Sequence, residues 1–197
     1  MIHATADVAE GATIGRETNV WHRAQIREGA VIGAECVIGK DVYIDAGVVI
    51  GDRVKIENAA LVYHGVTVES GVFIGPGAIL TNDRMPRAIR ADGAAKTGSD
   101  WTVGEIHLGY GCSIGAGAVV VAGCDIGAWA MVGAGSVVTR SVRDHALVVG
   151  DPARPIGWVC RCGQRLTVDD ADGSARCPVD ATRFTVADGQ CTEISAS

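Results

Sequence analysis

A branched aliphatic residue recurs at every sixth position from residue 2 to residue 80, and this repeat constrains the fold more than any other feature. A small or β-branched residue follows four positions after each of these anchors from Ile2 to Ile74. Periods of 3.6 and 2 belong to a single helix or strand, so a strict period of six indicates a stacked supersecondary unit. The anchors are Ile2, Val8, Ile14, Val20, Ile26, Ile32, Ile38, Ile44, Ile50, Ile56, Val62, Val68, Ile74 and Leu80.

Glycine-containing turns separate the anchors, as in GATIG, GAVIG and VVIGD. With these turns the sequence resembles the hexapeptide-repeat, left-handed parallel β-helix proteins, in which three hexads form one triangular coil. The resemblance implies an all-β fold, a left-handed parallel β-helix solenoid of about seven coils whose rungs lie about 4.8 Å apart. Residues eighteen positions apart then stack on neighbouring rungs.

The period breaks after Leu80 and resumes at Leu108, so we predict an extruded loop at about 82–106. A long loop in a strict solenoid is typically functional, because the repeat gains nothing from it. The repeat ends near residue 142. We therefore predict a β-helix over 1–142, followed over 143–197 by an exit segment and a cysteine-containing tail module.

Composition and charge exclude several classes of function. The formal net charge is −6 and basic runs are absent, which argues against nucleic acid or an anionic membrane as partner. No apolar run has the length of a membrane span, and the repeat begins at residue 2, so we expect a cytoplasmic protein without a signal peptide. Three cysteines fall on the small wall position and are expected to pack there: Cys36, Cys112 and Cys124.

The other four cysteines lie in the tail, where Cys160, Cys162 and Cys177 with Asp180 could ligate a structural zinc ion. Carboxylate is an uncommon ligand in structural zinc sites, and Cys191 could replace Asp180. The alternative is that these residues are reduced thiols in a loose tail.

His64 and Asn82 are eighteen residues apart, and Asp83 follows at the root of the loop. An imidazole can accept a proton near neutral pH, while an amide and a carboxylate can orient an amine or a hydroxyl. We predict a catalytic site of His64, Asn82 and Asp83 here. The alternative is a solvated surface stack.

Ala116 and Ala134 are also eighteen residues apart, and two arginines, Arg140 and Arg154, follow them. A smooth track that ends in two guanidinium groups suits a long, phosphate-bearing ligand such as coenzyme A. Simple packing of alanines explains the track but not the arginines.

The exit GDPARPIG and the segments WHRAQI, IENAALVYHGV, GPGAILTNDRMPRA and GWVCRCGQRL resemble the hexapeptide N-acetyltransferases of nucleotide-linked amino sugars. The resemblance implies an acyl-CoA donor, most simply acetyl-CoA, and a homotrimer with its active site between neighbouring subunits. It adds Thr139 to the coenzyme contacts. We also assign Arg84 and Arg87, in the loop, to the sugar nucleotide.

The TND at residues 81–83 is more similar to the enzymes that act on dTDP-3-amino-3,6-dideoxyhexoses than to those that act on UDP-linked 3-amino uronates, which remain the alternative. In these relatives the residue matching His64 is commonly Glu, so whether a protein base is used stays open. The loop has no histidine before His107, which disfavours O-acetylation of a sugar hydroxyl, since a hydroxyl needs a base more than an amine does.

Two other functions are possible on such a solenoid. A γ-type carbonic anhydrase needs three histidines around one zinc ion, and the spacing of the five histidines predicts no close pair. A non-catalytic scaffold would need neither the long loop nor the terminal arginines.

Overall fold

The computed structural model describes residues 1–169 and 171–194, and their regular structure consists of β-strands. Successive strands are assigned in turn to three parallel sheets, so the chain winds into a three-sided solenoid of about eight turns. The predicted all-β, parallel solenoid is confirmed, with about one turn more than expected. None of the described residues forms a helix long and apolar enough to cross a membrane.

Up to β15 each sheet collects every third strand of the solenoid, and the eighteen-residue register is visible in the pairing of Leu61 with Ile79. Sheet I contains β1 (Asp7–Val8), β4 (Gln25–Ile26), β7 (Tyr43–Ile44), β10 (Leu61–Val62), β13 (Ile79–Leu80), β16 (Val119–Val120) and β18 (Val137–Val138). Sheet II contains β2 (Thr13–Ile14), β5 (Val31–Ile32), β8 (Val49–Ile50), β11 (Val66–Val68) and β14 (Ile106–Leu108). Sheet III contains β3 (Asn19–Val20), β6 (Val37–Ile38), β9 (Lys55–Ile56), β12 (Phe73–Ile74), β15 (Ser113–Ile114), β17 (Met131–Val132), β19 (Ala146–Gly150) and β20 (Ala153–Trp158).

The anchors fill the interior of the solenoid. Those from Val20 to Leu80 are at most 2% exposed, and burying such a side chain contributes about 1.5–3 kcal/mol. The small residues of the wall are buried as well, including Cys36, Cys112 and Cys124, which confirms their packing role. Ile2, in the first coil, is 51% exposed, because no rung lies beneath it.

The loop leaves the solenoid after β13 and returns at β14. Its root is closed by a hydrogen bond from Gly104 N to Asn82 O (2.8 Å). Gly65 lies directly below this root with φ of +90°, and a Cβ there would come within 2.5 Å of Val103. The close approach of the returning chain therefore requires glycine at position 65.

The solenoid ends in an antiparallel hairpin and a small fourth sheet. β19 still pairs in parallel with β17, so the stacking continues beyond residue 142, and β20 then pairs antiparallel with β19. The tail sheet contains β21 (Thr167–Val168), β22 (Ser174–Arg176), β23 (Arg183–Ala187) and β24 (Gln190–Glu193). Arg143 joins the two parts, because its guanidinium donates to the carbonyls of Asp188 and Gly189 in the tail.

Candidate functional site

His64 lies at the corner between sheet I and sheet II. Its ring Nδ1 is 2.7 Å from the carbonyl oxygen of Ala46, one rung below. A carbonyl can only accept, so Nδ1 carries the proton and a neutral ring keeps the lone pair of Nε2 free. The structure thereby fixes the tautomer that can act as a base through Nε2.

Asp45 holds the backbone at this corner. Its carboxylate accepts hydrogen bonds from His64 N (3.1 Å), Ala46 N (2.8 Å) and the Tyr43 hydroxyl (2.9 Å), and Arg27 lies 3.5 Å away. Burial raises the pKa of Asp45, but these hydrogen bonds and the charge of Arg27 outweigh it, so the net pKa lies below its ordinary value. Asp45 is therefore a charged clamp on the corner that carries His64.

A cleft of about 520 Å³ opens beside His64. The rung above supplies a second imidazole, His107, whose Nε2 lies 3.0 Å from Glu69 Oε1. A carboxylate accepts only, so Nδ1 is the free nitrogen of a neutral His107. Other polar and apolar lining residues are Thr67, Val103, Glu105 and Asp125.

His107 and the acidic residues around it are functional candidates that sequence reasoning missed. The strand register pairs Thr67 with His107, forty positions later, because the loop interrupts the spacing of eighteen. The spacing of eighteen residues between stacked positions therefore fails across the loop. Counting the hexads from each end of the loop separately would have placed His107 above Thr67.

The other predicted residues of the amine site lie at the loop root, outside the lining of the cleft as described. Asn82 is half-buried and stacks in register above His64, since β10 pairs with β13 immediately before them. Asp83 is half-buried and its Oδ1 accepts from Met85 N (2.8 Å). The structure thus brings these two residues to the corner of His64. One oxygen of the Asp83 carboxylate is engaged by the backbone of the turn that follows it.

The two loop arginines differ in position. Arg84 lies beside Gly123, whose N–H donates to Glu105 O (3.0 Å) in the wall of the cleft. Arg87 is exposed and donates to Pro86 O (3.0 Å), and it is not among the described lining residues.

Ala116 and Ala134 form the predicted track of small side chains. Both are exposed, and Gly135 N donates to Ala116 O (2.8 Å) across the rungs. A Cβ on Gly115 would collide with the backbone of Ala134, so the coils approach closely here. The track lies at the corner between sheets III and I, a different corner from that of His64.

Arg140 and Arg154 line one cavity of about 360 Å³ at the end of the solenoid. Arg143 and the apolar face of Trp158 also line it, and Gly189 of the tail closes one side. None of the described lining residues is acidic, so the cavity is suited to a phosphate-bearing ligand. Thr139 is half-buried beside Arg140 but is not among the described lining residues.

The predicted metal ligands also come together. The ligand atoms of Cys160, Cys162, Cys177 and Asp180 all lie within 4.8 Å of one another. A further cavity of about 830 Å³ lies over β21, β22 and β23, and its lining includes Cys177 of the metal-ligand group.

The expectation that no two histidines lie close is wrong. His3 and His22 stack with their ring centroids 3.5 Å apart, and His64 and His107 share the cleft. The planes of the stacked His3 and His22 rings are inclined by 29°. Across the described residues, the group that could hold a metal ion is the cysteine cluster of the tail.

Comparison with protein families gives two matches. A model described as bacterial transferase hexapeptide (six repeats) matches residues 29–63 and 47–82, and one described as hexapeptide repeat of succinyl-transferase matches 106–140. The chain is 37% identical over 91 residues to a dTDP-3-amino-3,6-dideoxy-α-D-galactopyranose 3-N-acetyltransferase of Aneurinibacillus thermoaerophilus. The match covers 46% of this chain and 46% of that relative, so the chain spans about half the length of the curated relative it matches.

Two solved structures of acetyltransferases are similar over most of this chain. The acetyltransferase domain of PglB from Neisseria gonorrhoeae is 25% identical with a TM-score of 0.52, over 79% of this chain and 57% of that one. A GDP-perosamine N-acetyltransferase from Caulobacter crescentus, solved with CoA and GDP-perosamine, is 25% identical with a TM-score of 0.50, over 79% and 55%. Residues 29–82 and 106–140 therefore match hexapeptide-repeat models, and the chain is similar to acetyltransferases of nucleotide-linked amino sugars.

Proposed function

We propose that the protein is an acetyl-CoA-dependent N-acetyltransferase that acylates the 3-amino group of a dTDP-linked deoxyamino sugar. The observation that carries the proposal is the fixed tautomer of His64, which presents a free Nε2 beside a cleft of about 520 Å³. The similarity to a dTDP-amino-sugar 3-N-acetyltransferase supports this acceptor over the UDP-linked uronate.

In the proposed reaction the neutral amine attacks the thioester carbonyl carbon of acetyl-CoA. A C–N bond forms, the C–S bond breaks, and coenzyme A leaves as its thiolate. His64 Nε2 takes the proton that the amine loses and returns it to the leaving sulfur. Asn82 and Asp83 orient the amine from the loop root, and Arg84 and Arg87 bind the sugar nucleotide.

The coenzyme runs along Ala116 and Ala134 towards the cavity of Arg140 and Arg154, with Thr139 beside it. Two properties support this path: the exposed alanines leave a groove without bulky side chains, and the cavity has three arginines and no acidic residue in its described lining. Planar guanidinium groups bind phosphate oxygens in pairs, so the phosphate-bearing end of coenzyme A fits the cavity.

We also propose a homotrimer in the cytoplasm. His64 and the alanine track lie at different corners of the solenoid, so a second copy that brings its own track to the cleft would complete the site. Val31 and Val49, stacked on the outer face of sheet II, are 43% and 44% exposed and are suited to such a contact. All seven cysteines are unpaired thiols, which fits a reducing compartment. Light scattering of the purified protein tests the oligomer, and a monomer at assay concentration would refute it.

The first experiment measures release of the coenzyme A thiol from acetyl-CoA with three acceptors. These are dTDP-3-amino-3,6-dideoxygalactose, its gluco epimer and a UDP-linked 3-amino uronate. We expect turnover with a dTDP sugar. Preference for the UDP sugar would overturn the choice of nucleotide, and no turnover with any of the three would overturn the proposed reaction.

The role of His64 is tested with His64→Gln, and His107→Gln is the matched control in the same cleft. Loss of a general base lowers kcat about 10²- to 10⁴-fold, and we expect this loss in His64→Gln only. Asn82→Ala should lower kcat with little change in Tm, because its side chain makes no hydrogen bond within the described residues. A loss confined to His107→Gln would transfer the base role to His107.

A further inference from the structure

We propose that the tail binds one zinc ion through the thiolates of Cys160, Cys162 and Cys177 and the carboxylate of Asp180. The four ligand atoms lie within 4.8 Å of one another, and two short segments of chain supply them in pairs. Three thiolates favour a soft or borderline divalent ion, and four ligands of this kind fit the tetrahedral preference of Zn²⁺. The site does not depend on the reaction proposed above.

The distances match a tetrahedral zinc centre before any ion is added. With Zn–S near 2.3 Å and Zn–O near 2.0 Å, tetrahedral angles place two sulfurs about 3.8 Å apart and a sulfur and an oxygen about 3.5 Å apart. The sulfur atoms of Cys162 and Cys177 are 3.5 Å apart, and Cys160 Sγ lies 3.5 Å from Asp180 Oδ2. Little movement is therefore needed for coordination.

Each segment is folded to present two ligands on one side. After Cys162 the chain turns back at Gly163, whose φ is +83° and whose N–H donates to Cys160 O (2.8 Å). In the second segment Ala181 N donates to Cys177 O (3.1 Å) and Thr182 N donates to Asp180 Oδ1 (2.9 Å). The last bond orients the carboxylate and leaves Oδ2 for the metal, in the manner of an outer-shell partner.

The fourth ligand is Asp180 and not Cys191. Cys191 lies on β24 within the small core of the tail, and it is not a member of the group of converging ligand atoms found among the described residues. Burial alone raises the pKa of its thiol to about 11, which is typical of a packed cysteine.

The tail module needs such a crosslink. Its buried core has six residues, of which Phe184 is the large one and three are cysteines: Cys160, Leu166, Ala175, Cys177, Phe184 and Cys191. A sheet of this size buries too little apolar surface to offset the entropy of ordering its chain, and small modules usually add a metal or disulfides. Zinc would join the end of β20 to the turn between β22 and β23.

The test uses the full chain, purified in reductant without a histidine tag. Elemental analysis should find one zinc per chain. The cobalt(II) form should absorb as a tetrahedral centre with thiolate charge-transfer bands. A chain that stays free of zinc and cobalt after incubation with excess metal would overturn the proposal, and so would a Cys162–Cys177 disulfide in its place.

Two matched variants identify the fourth ligand. Asp180→Ala should raise the Kd for zinc at least about tenfold, a lower limit taken from the effects of outer-shell partners, whereas Cys191→Ala should leave the Kd unchanged. The reverse pattern would overturn the assignment of Asp180. Far-UV circular dichroism checks that the solenoid persists in each variant. The same spectrum, recorded after a chelator removes the metal from the wild-type protein, shows the effect of metal loss without any substitution.

Discussion

Asp45→Ala should damage both stability and turnover, although Asp45 makes no contact with substrate in the proposed reaction. The side chain is only 16% exposed and its carboxylate accepts three hydrogen bonds, two of them from backbone N–H groups at the corner of His64. Hydrogen bonds to charged groups contribute about 1.5–3 kcal/mol each, and water can replace part of them, so we expect a total loss of about 2–3 kcal/mol. For a chain of this length that loss lowers Tm by about 5–10 °C.

The kinetic effect of Asp45→Ala follows from the position of the His64 ring. Without the clamp the backbone of the corner relaxes, and a displacement of about 1 Å from the reacting amine costs about 10²-fold in kcat. The assay is thiol release at saturating acetyl-CoA and dTDP sugar, with Tm measured in parallel. KM for acetyl-CoA should stay constant, because the alanine track lies at another corner.

Glu28→Gln is the matched control for Asp45→Ala. Glu28 pairs with the same arginine as Asp45 does, Arg27 (2.6 Å), but its side chain is 56% exposed and has no contact with His64 among the described hydrogen bonds. We expect a Tm and a kcat close to wild type. An equal loss of kcat in both variants would show that Arg27, and not the clamp on His64, sets the turnover. An unchanged kcat in Asp45→Ala would refute the positioning argument.

Three further predictions follow from the same contacts. The folded-state pKa of Asp45 is lowered, so the stability that its charge contributes is present above the unfolded pKa of about 3.9 and is lost as pH falls through the folded pKa. The Tm difference between wild type and Asp45→Ala should therefore be full at neutral pH and vanish in acid. Ala116→Leu should raise the Kd for acetyl-CoA, measured by calorimetry, without changing binding of the dTDP sugar, and unchanged coenzyme affinity would refute the path along the track. Gly65→Ala should destabilise the root of the loop by about 1–2 kcal/mol in urea unfolding, because φ is +90° and Val103 lies within 2.5 Å of the new methyl group. Gly77→Ala is the control: its φ is also positive, but no neighbour lies within 4 Å, so its loss of stability should be smaller.

The repeat predicts the solenoid because each hexad adds the same contacts, so one spacing determines the buried anchors and the stacked corners. The same spacing brings Ala116 and Ala134 together. The cysteine cluster is predicted because its ligands come in two pairs that are close in sequence, Cys160 with Cys162 and Cys177 with Asp180. The contribution of His107 is not predicted in this way, because the loop changes the offset between rungs from eighteen to forty. The role of Asp45 is also hidden, since its carboxylate reaches the backbone of a residue nineteen positions later, at a corner where no side-chain pattern marks the contact.

The tail connects the proposed zinc site with the proposed coenzyme cavity. Arg143 lines the cavity and donates to the carbonyls of Asp188 and Gly189, at the turn between β23 and β24. That turn is held by the same small sheet whose opposite end carries Cys177 and Asp180. The positive charge of Arg143 is therefore oriented by a module that depends on its own crosslink, while the corner of His64 rests on the solenoid alone. If both proposals hold, removal of the metal weakens coenzyme binding and leaves binding of the amino sugar intact.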